Sequence, residues 1–261
     1  MINEDVLLSR VVQFAYIFLR VTSIFVLSPV LGKKNAPNEV KVMLCLILSY
    51  VFVNMFPPEA AGQKTTLSEF ASGCLKELLI GLSIGFVTIL FFSVILSAGH
   101  ITDTQIGFGM AQLFDQRIGM QVPLAGSILN VFLLVMFFVS NTHHMLIKVL
   151  AETFVVLPPG KFVLSLDIGV VIVEFFLSTM VLVLRIAMPV MAAIFLTEVA
   201  MGIMIRSVPQ MNMFVIGIPV KIFIGLAMLF LTVPLFFNVS EVLFDSMLSG
   251  IRELAGRATV S

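Results

Sequence analysis

Long apolar segments separated by short polar breaks dominate the pattern along the chain. A helix needs about 20 apolar residues to cross the hydrocarbon core of a membrane. Three stretches of about that length contain no charged side chain: 78–98, 122–140 and 222–240. A further stretch, 6–31, is long enough but contains Arg10 and Arg20, and 42–56 is too short for a full crossing. The pattern predicts an all-α membrane protein.

The longest apolar stretch, 168–205, has Pro189 near its middle. Proline disrupts helical hydrogen bonding, so we expect either two helical limbs or one long bent helix here. About six hydrophobic helices result, and their backbone groups must be paired within each segment. The predicted breaks between them are 32–40, 57–73, 99–121, 141–167 and 206–212. The strict alternation of a β-barrel is absent from the sequence.

Composition supports a membrane protein and excludes several other classes. The chain has 261 residues, of which 59% are hydrophobic and only 11% are charged, whereas a soluble domain is about a quarter charged. Basic and acidic residues balance at 15 each, so no basic excess exists for binding nucleic acid. Cys45 and Cys74 are expected to be free apolar packing residues. Lys and Arg counts on alternate sides give no decisive topology.

Three local patterns that could carry chemistry have simpler structural interpretations. Gly81, Ser83 and Gly85 match the G-x-S-x-G pattern of hydrolases, but they lie inside an apolar helix and instead indicate a helix-packing face. His143 and His144 are adjacent and lack the partners of a metal site. Nucleotide-binding and zinc-protease motifs are absent from the sequence. We therefore predict no enzyme activity, no cofactor and no metal.

Charged residues inside apolar stretches are costly in a membrane and need a partner, a cavity or water. We single out five of them: Arg20, Glu174, Arg185, Glu198 and Lys221. Glu174 and Arg185 are separated by about 16 Å of helical rise, which is too far for a direct pair. The partners are therefore expected on other helices or on other chains, which favours a subunit of an assembly.

The break at 99–121 combines glycines with bulky apolar residues, including Phe108, Met110 and Phe114. An ordinary solvated loop would not expose such residues, whereas irregular backbone is allowed at membrane depth where it plugs a cavity. The segment is either a re-entrant plug or an amphipathic connector. Methionines cluster later in the chain and could fill core gaps or form an adaptable surface. They are Met188, Met191, Met201, Met204, Met211 and Met213.

A motif near residue 210 has the pattern G-x-x-x-R-x-x-P-Q-x-x-x-F-x-x-G-x-P. Its residues are Gly202, Arg206, Pro209, Gln210, Phe214, Gly217 and Pro219. This motif resembles the hallmark of the FliR family of type III secretion export-gate subunits. Weaker matches follow the family's order over about 10–240, and they are Glu77, Gly81, Gly85, Asp103, Gln105, Gly107, Ala111, Asp115, Asn141, His143, Leu157, Pro158 and Gly160.

The resemblance implies a non-enzymatic structural and gating subunit of the flagellar export gate in the bacterial inner membrane and flagellar basal body. Its partners would be FliP, FliQ and FlhB, with FlhA nearby, together with membrane lipids, and its substrates would be unfolded flagellar proteins. Residues 1–140 would form a FliP-like portion and 141–261 a portion that becomes FliQ-like toward its end. The kinked helical hairpins of this family lie largely above the membrane plane.

The resemblance also assigns roles to residues. The family's central loop is a plug in the pore, which fits Gly107, Phe108, Gly109, Met110 and Phe114 here. From the residues themselves, Gly107 and Gly109 permit backbone conformations closed to other residues, and Asp103 and Asp115 can anchor the loop to helix ends or to nearby basic groups. Structural and assembly roles are predicted for Arg185, Glu198, Arg206, Pro209, Gln210, Phe214 and Pro219. The sequence leaves open whether the apparatus is flagellar or a virulence injectisome. The alternative is a secondary transporter or channel subunit for a small solute, with a site built from Arg20, Glu174, Arg185 and Glu198.

Overall fold

The structure is a computed structural model that describes residues 4–28, 37–56, 66–108, 123–160, 167–208 and 212–258. Every regular element in these ranges is an α-helix, which confirms the predicted all-α class. In chain order the helices are α1 (Glu4–Leu27), α2 (Asn38–Met55), α3 (Leu67–Ile106), α4 (Leu124–Val139), α5 (Thr142–Val156), α6 (Asp167–Ser207) and α7 (Met213–Arg257).

Five of these helices, α1, α2, α3, α6 and α7, are long and apolar enough to cross a membrane. The short helices α4 and α5 together form a sixth candidate, interrupted at Ser140 and Asn141. Asn141 has a left-handed backbone (φ 56°), a conformation that asparagine tolerates better than most residues. The prediction of about six hydrophobic helices is therefore confirmed.

Several predicted breaks are wider than the gaps between the helices of the structure. Helix α3 extends well beyond 78–98 at both ends, so the breaks at 57–73 and 99–121 are partly helical. The break at 141–167 contains the whole of α5. The physical reason is that charged residues do not end α3. Glu77 and Asp103 lie inside this helix because each is buried with a hydrogen-bonding partner.

The long apolar stretch around Pro189 forms one continuous helix, α6. Proline has no N–H, so the carbonyl oxygen of Arg185, four residues earlier, lacks its helical donor. Helix α7 contains two further prolines, Pro219 and Pro234, both on its exposed side. The helices therefore run through their prolines, and the predicted break at 206–212 falls where α6 ends.

The chain divides into two compact units. Unit 1 comprises Met1–Phe91, Asn141–Phe176 and Phe244–Ser261, and unit 2 comprises Phe92–Ser140 and Leu177–Leu243. Helices α3, α6 and α7 each contribute one part to each unit. The proposed division into a FliP-like 1–140 and a later FliQ-like portion concerns likeness to other subunits and stays a prediction.

Unit 1 is held together by an apolar core between α1, α2 and α5. Its buried residues are Ile17, Val21, Phe25, Cys45, Phe52, Val53 and Phe154. Helix α3 packs closely on α1 through the two glycines of the G-x-S-x-G pattern. A Cβ on Gly81 would lie 2.6 Å from the carbonyl oxygen of Arg20, and one on Gly85 would lie 2.9 Å from Leu27. This contact confirms the helix-packing interpretation.

Unit 2 has its own apolar core, formed by Ile106 of α3 and by Val190 and Ile194 of α6. The rings of Phe92 and Phe137 meet edge to face at 5.4 Å and join α3 to α4. Such contacts between aromatic rings add to the stability gained from burial. Both cysteines are free, as predicted.

Candidate functional site

A buried ion pair joins α1 to α3 in unit 1. Arg20 Nε lies 2.5 Å from Glu77 Oε2, and Arg20 Nη2 lies 3.0 Å from Glu77 Oε1. Both side chains are completely shielded from solvent. The contact is bidentate, which is the strongest arrangement of guanidinium and carboxylate groups. A buried charge pair of this kind requires hydrogen bonds to its remaining polar atoms.

The third guanidinium nitrogen of Arg20, Nη1, donates to carbonyl oxygens at the C-terminal end of α5. Arg20 Nη1 donates to the carbonyl oxygens of Thr153, at 3.4 Å, and Leu157, at 3.0 Å. The last carbonyl groups of a helix have no intrahelical partner, and its C-terminus favours a cation. The guanidinium also lies 4.4 Å from the centre of the Phe154 ring, within the range of a cation–π contact.

Gly160 completes this cluster from the turn that follows α5. Its backbone N–H donates to Glu77 Oε1 at 2.8 Å. The backbone has a φ of +79°, and a Cβ on this residue would lie 2.7 Å from the ring of Tyr16. Glycine is thus required here for both backbone conformation and space. We call Arg20, Glu77 and Gly160 the buried polar cluster.

Replacing Gly160 by alanine is expected to destabilise the chain, because the new methyl group meets Tyr16 in a strained backbone. A left-handed non-glycine residue alone costs about 1–3 kcal/mol. Gly169→Ala is the matched control, since this helical glycine has open space around it and alanine favours helix. Thermal unfolding in detergent should show a lower midpoint for Gly160→Ala only. Equal midpoints for the two variants would contradict the role assigned to Gly160.

The segment predicted to plug a pore begins where α3 ends in unit 2. Gly107 terminates α3 with a φ of +95°, and its N–H donates to the carbonyl oxygen of Asp103 at 3.1 Å. This is a common way to end a helix and turn the chain. Gly107 therefore has a backbone conformation that favours glycine over other residues.

The two ends of this segment are joined by Asp103. Helix α4 begins after Pro123, which provides no side-chain cap. Both carboxylate oxygens of Asp103 instead accept a hydrogen bond from the backbone N–H of Ala125, each at 3.1 Å. A carboxylate at a helix N-terminus is stabilising. The prediction that Asp103 anchors the loop to a helix end is confirmed.

A close contact of glycines supports the same junction. A Cβ on Gly99 of α3 would overlap the backbone of Gly126 in α4. The two helices therefore approach each other directly at the base of the loop. Phe108, the first bulky residue of the predicted plug, packs against the unit 2 core of Ile106, Val190 and Ile194. Gly109, Met110, Phe114 and Asp115 lie outside the described residues.

Replacing Asp103 by alanine is expected to loosen the base of the loop by leaving the Ala125 N–H buried without an acceptor. An unsatisfied buried donor costs about 1–3 kcal/mol. Ser127→Ala in the same helix is the control, because this hydroxyl donates only to the carbonyl of Pro123 one turn away. Proteolysis between residues 107 and 122 should accelerate in Asp103→Ala alone. Unchanged cleavage would argue against this anchor.

Four of the five charges in apolar stretches have partners within the chain, on other helices. Besides the pair of Arg20 and Glu77, Lys221 binds Glu198, and Arg257 lies 3.4 Å from Glu174. The sequence left open whether the partners lie on other helices or on other chains. Because these four charged residues have partners within the chain, they no longer favour a subunit of an assembly. Arg20, Glu174 and Glu198 were three of the four residues of the alternative transporter site. Each forms its ion pair with a residue that is not part of that site. Arg185 forms no ion pair with any described residue.

The hallmark motif spans the junction between α6 and α7. Arg206 lies exposed in the last turn of α6, where a cation complements the helix C-terminus. Pro209 and Gln210 lie outside the described residues, as does the side chain of Phe214. Asn212 accepts backbone hydrogen bonds from Val215 and Ile216 at the start of α7. The roles assigned to these residues stay predictions.

The clustered methionines divide between core and surface. Met201 is buried, whereas Met188 and Met204 are exposed. Met188 and Met191 line an open groove beside Gln105 of α3, close in sequence to the loop. Core filling therefore occurs at Met201, and the adaptable surface stays a prediction. Among the described residues, no group of His, Cys, Asp or Glu could hold a metal ion.

Comparison with known proteins identifies the family. The model of a family described as bacterial export proteins, family 1, matches residues 11–247. The flagellar biosynthetic protein FliR of Aquifex aeolicus is 30% identical over 221 residues, covering 84% of each chain. FliR of Bacillus subtilis is 26% identical over 253 residues, covering 95% of this chain and 96% of the relative.

FliR of Escherichia coli is 26% identical over 237 residues, covering 90% of each chain. The matched region includes the buried polar cluster, the base of the loop and the junction between α6 and α7. Sequence reasoning had marked Arg20 and Glu77 separately without predicting their contact. The signal available was one basic residue inside an apolar segment and one acidic residue at the edge of another. The chain belongs to the bacterial export proteins of family 1, the family of the flagellar biosynthetic protein FliR.

Proposed function

We propose that the chain is a structural and gating subunit of the flagellar type III export gate, where it forms a secretion pore with FliP and FliQ. Membership of the export family already makes it a membrane component of a bacterial export apparatus. The observation that carries the gating role is the loop base, where Asp103 and the contact of Gly99 with Gly126 hold the two ends of segment 107–122 together.

A loop anchored in this way can close a narrow passage and still be displaced. Its base is fixed by buried hydrogen bonds, whereas Phe108 is held by apolar packing. Bulky apolar residues in a constriction exclude water and ions by dewetting. Gly107, Phe108, Gly109, Met110 and Phe114 are the residues that we propose to form the closure. Unfolded flagellar proteins would displace this closure as they pass.

The proposed location is the bacterial inner membrane within the flagellar basal body, with FlhB bound beside the pore and FlhA nearby. The apolar surface of α7 supports contacts with other subunits or lipid, since Phe223 and Phe230 are 76% and 79% exposed. Exposed apolar surface of this extent needs an apolar environment. We further propose that residues 1–140 correspond to a FliP-like portion and 141–261 to a portion that becomes FliQ-like toward its end.

The junction between α6 and α7 is proposed to carry assembly. Arg206 offers several donors at an exposed helix end, and Pro209 prevents the helix from continuing. Other residues with a proposed assembly role are Arg185, Glu198, Gln210, Phe214 and Pro219. For Glu198 the role would be indirect, because this carboxylate already binds Lys221.

Arg206→Ala is expected to lower the yield of the assembled complex severalfold while leaving the isolated chain folded, since the exposed side chain contributes little to the chain's own packing. Lys148→Ala, which removes an exposed cation from α5, is the control. Affinity purification with quantified partner subunits measures the effect. Equal recovery of partners by both variants would contradict the assembly role of Arg206.

Co-expression with the FliP and FliQ homologues of the same genome tests the proposed function. The tagged chain should recover both proteins as one complex after detergent extraction. An unrelated membrane protein of similar size, extracted in the same way, controls for nonspecific recovery. A chain that remains alone, stays folded and transports a small solute in vesicles would instead support the transporter interpretation.

A further inference from the structure

Unit 2 contains a mainly apolar cavity of about 330 Å³ between α3, α4, α6 and α7. This volume falls within the range of about 300–1,000 Å³ that is usual for small-molecule sites. Four polar side chains share its otherwise apolar wall, and they are Thr102, Arg185, Thr232 and Asn238. The site therefore suits a ligand that is largely hydrocarbon but carries a polar group.

Arg185 determines the charge of that polar group. Among the described residues, no ion pair or side-chain hydrogen bond involves Arg185 or Asn238, whereas Glu198 and Lys221, also in unit 2, bind each other. Arg185 and Asn238 are both exposed beside the apolar lining, and a cation that faces the apolar part of a membrane favours an anionic partner. Guanidinium groups bind phosphate particularly well because their donors match its oxygens. Asn238 can add a further donor from α7.

The other two polar residues of the wall add little. Thr232 already donates its hydroxyl to the carbonyl oxygen of Leu229, and Thr102 is buried. The groups left to bind a ligand are therefore the guanidinium of Arg185 and the amide of Asn238. That combination fits a phosphate group.

We infer that this cavity binds an anionic phospholipid such as phosphatidylglycerol, with one acyl chain against the apolar wall and the phosphate at Arg185 and Asn238. A membrane supplies such a ligand at high concentration, and a small soluble anion would leave the apolar wall unfilled. The site does not depend on the proposed export role.

Native mass spectrometry of the full chain, purified without partner subunits, tests this site, so that the proposed assembly role of Arg185 does not affect the comparison. The chain is exchanged into vesicles of equal amounts of phosphatidylethanolamine and phosphatidylglycerol and then released in mild detergent. The wild-type chain should retain phosphatidylglycerol in preference. Arg185→Gln should lower that preference about tenfold, the ratio that corresponds to about 1.4 kcal/mol. Lys148→Gln, an exposed cation outside the cavity, should retain it.

Two more variants separate the lipid from other occupants. Val239→Trp should fill the cavity and reduce retention of both lipids, and Asn238→Leu should lower the preference without touching Arg185, so that poor folding of one variant leaves the test intact. Equal lipid preference in Arg185→Gln, Asn238→Leu and wild type would overturn the inference. So would crosslinking of Val239→Cys to a partner subunit in native membranes together with a wild-type chain that retains no phospholipid.

Discussion

Glu77→Ala is expected to destabilise the chain by about 3–5 kcal/mol, because it leaves the Arg20 guanidinium buried without a counter-charge. The variant also removes the acceptor of the Gly160 N–H. Helix α1 and the turn after α5 therefore both lose the side chain that links them to α3. Such a loss is a large fraction of the stability of a typical domain, which is about 5–15 kcal/mol.

Denaturation by increasing SDS in mixed micelles, followed by circular dichroism, measures this effect. Glu152→Ala is the matched control, because Glu152 forms an exposed pair with Arg252. Exposed pairs contribute about 0–1 kcal/mol. Arg20→Met combined with Glu77→Leu should be less damaging than Glu77→Ala, since neither charge then remains buried. Similar losses for Glu77→Ala and Glu152→Ala would contradict the structural role of the buried pair.

Deleting residues 107–114 is expected to leave the complex assembled but permeable to ions and small solutes. Asp103 and Gly99, which hold α3 against α4, lie outside the deletion. The bulky residues Phe108, Met110 and Phe114 are removed, and with them the hydrophobic constriction. Purified complexes in planar bilayers should then pass a steady current where the wild-type complex passes none.

Two comparisons separate loss of the seal from general damage. A Gly/Ser replacement of 108–114 keeps the chain length but removes the bulk, and it should leak as the deletion does. Serine at Val155 and Val156, two exposed positions of α5, should leave the complex tight. A deletion that assembles with normal yield and carries no current would place the seal in another subunit.

The helical class and the family were predictable from the sequence because both rest on local patterns. Apolar stretches of membrane-spanning length predict helices directly. The motif around Arg206, Pro209 and Gln210 indicates the family through its resemblance to the family's hallmark. The same reasoning also predicted that Asp103 would anchor the loop to a helix end, because a carboxylate is stabilised there.

Helix ends and charge partners were less predictable because they depend on contacts distant in sequence. The segment 99–121 was predicted as a loop, yet α3 continues to Ile106 because Asp103 is satisfied by Ala125 of the next helix. Likewise, the distance within one helix showed that Glu174 could not pair with Arg185. It could not show that Arg257 of α7 lies within reach of Glu174.

Crosslinking of an export substrate to the loop tests the central claim most directly. A flagellar substrate that is stalled by a folded C-terminal fusion and carries one cysteine in its stalled segment is combined with Phe108→Cys, after Cys45 and Cys74 are replaced by alanine. The account predicts a crosslink that requires the stalled substrate and is absent with Val155→Cys. A stalled substrate that never crosslinks at position 108, or that crosslinks equally at position 155, would contradict a pore closed by this loop.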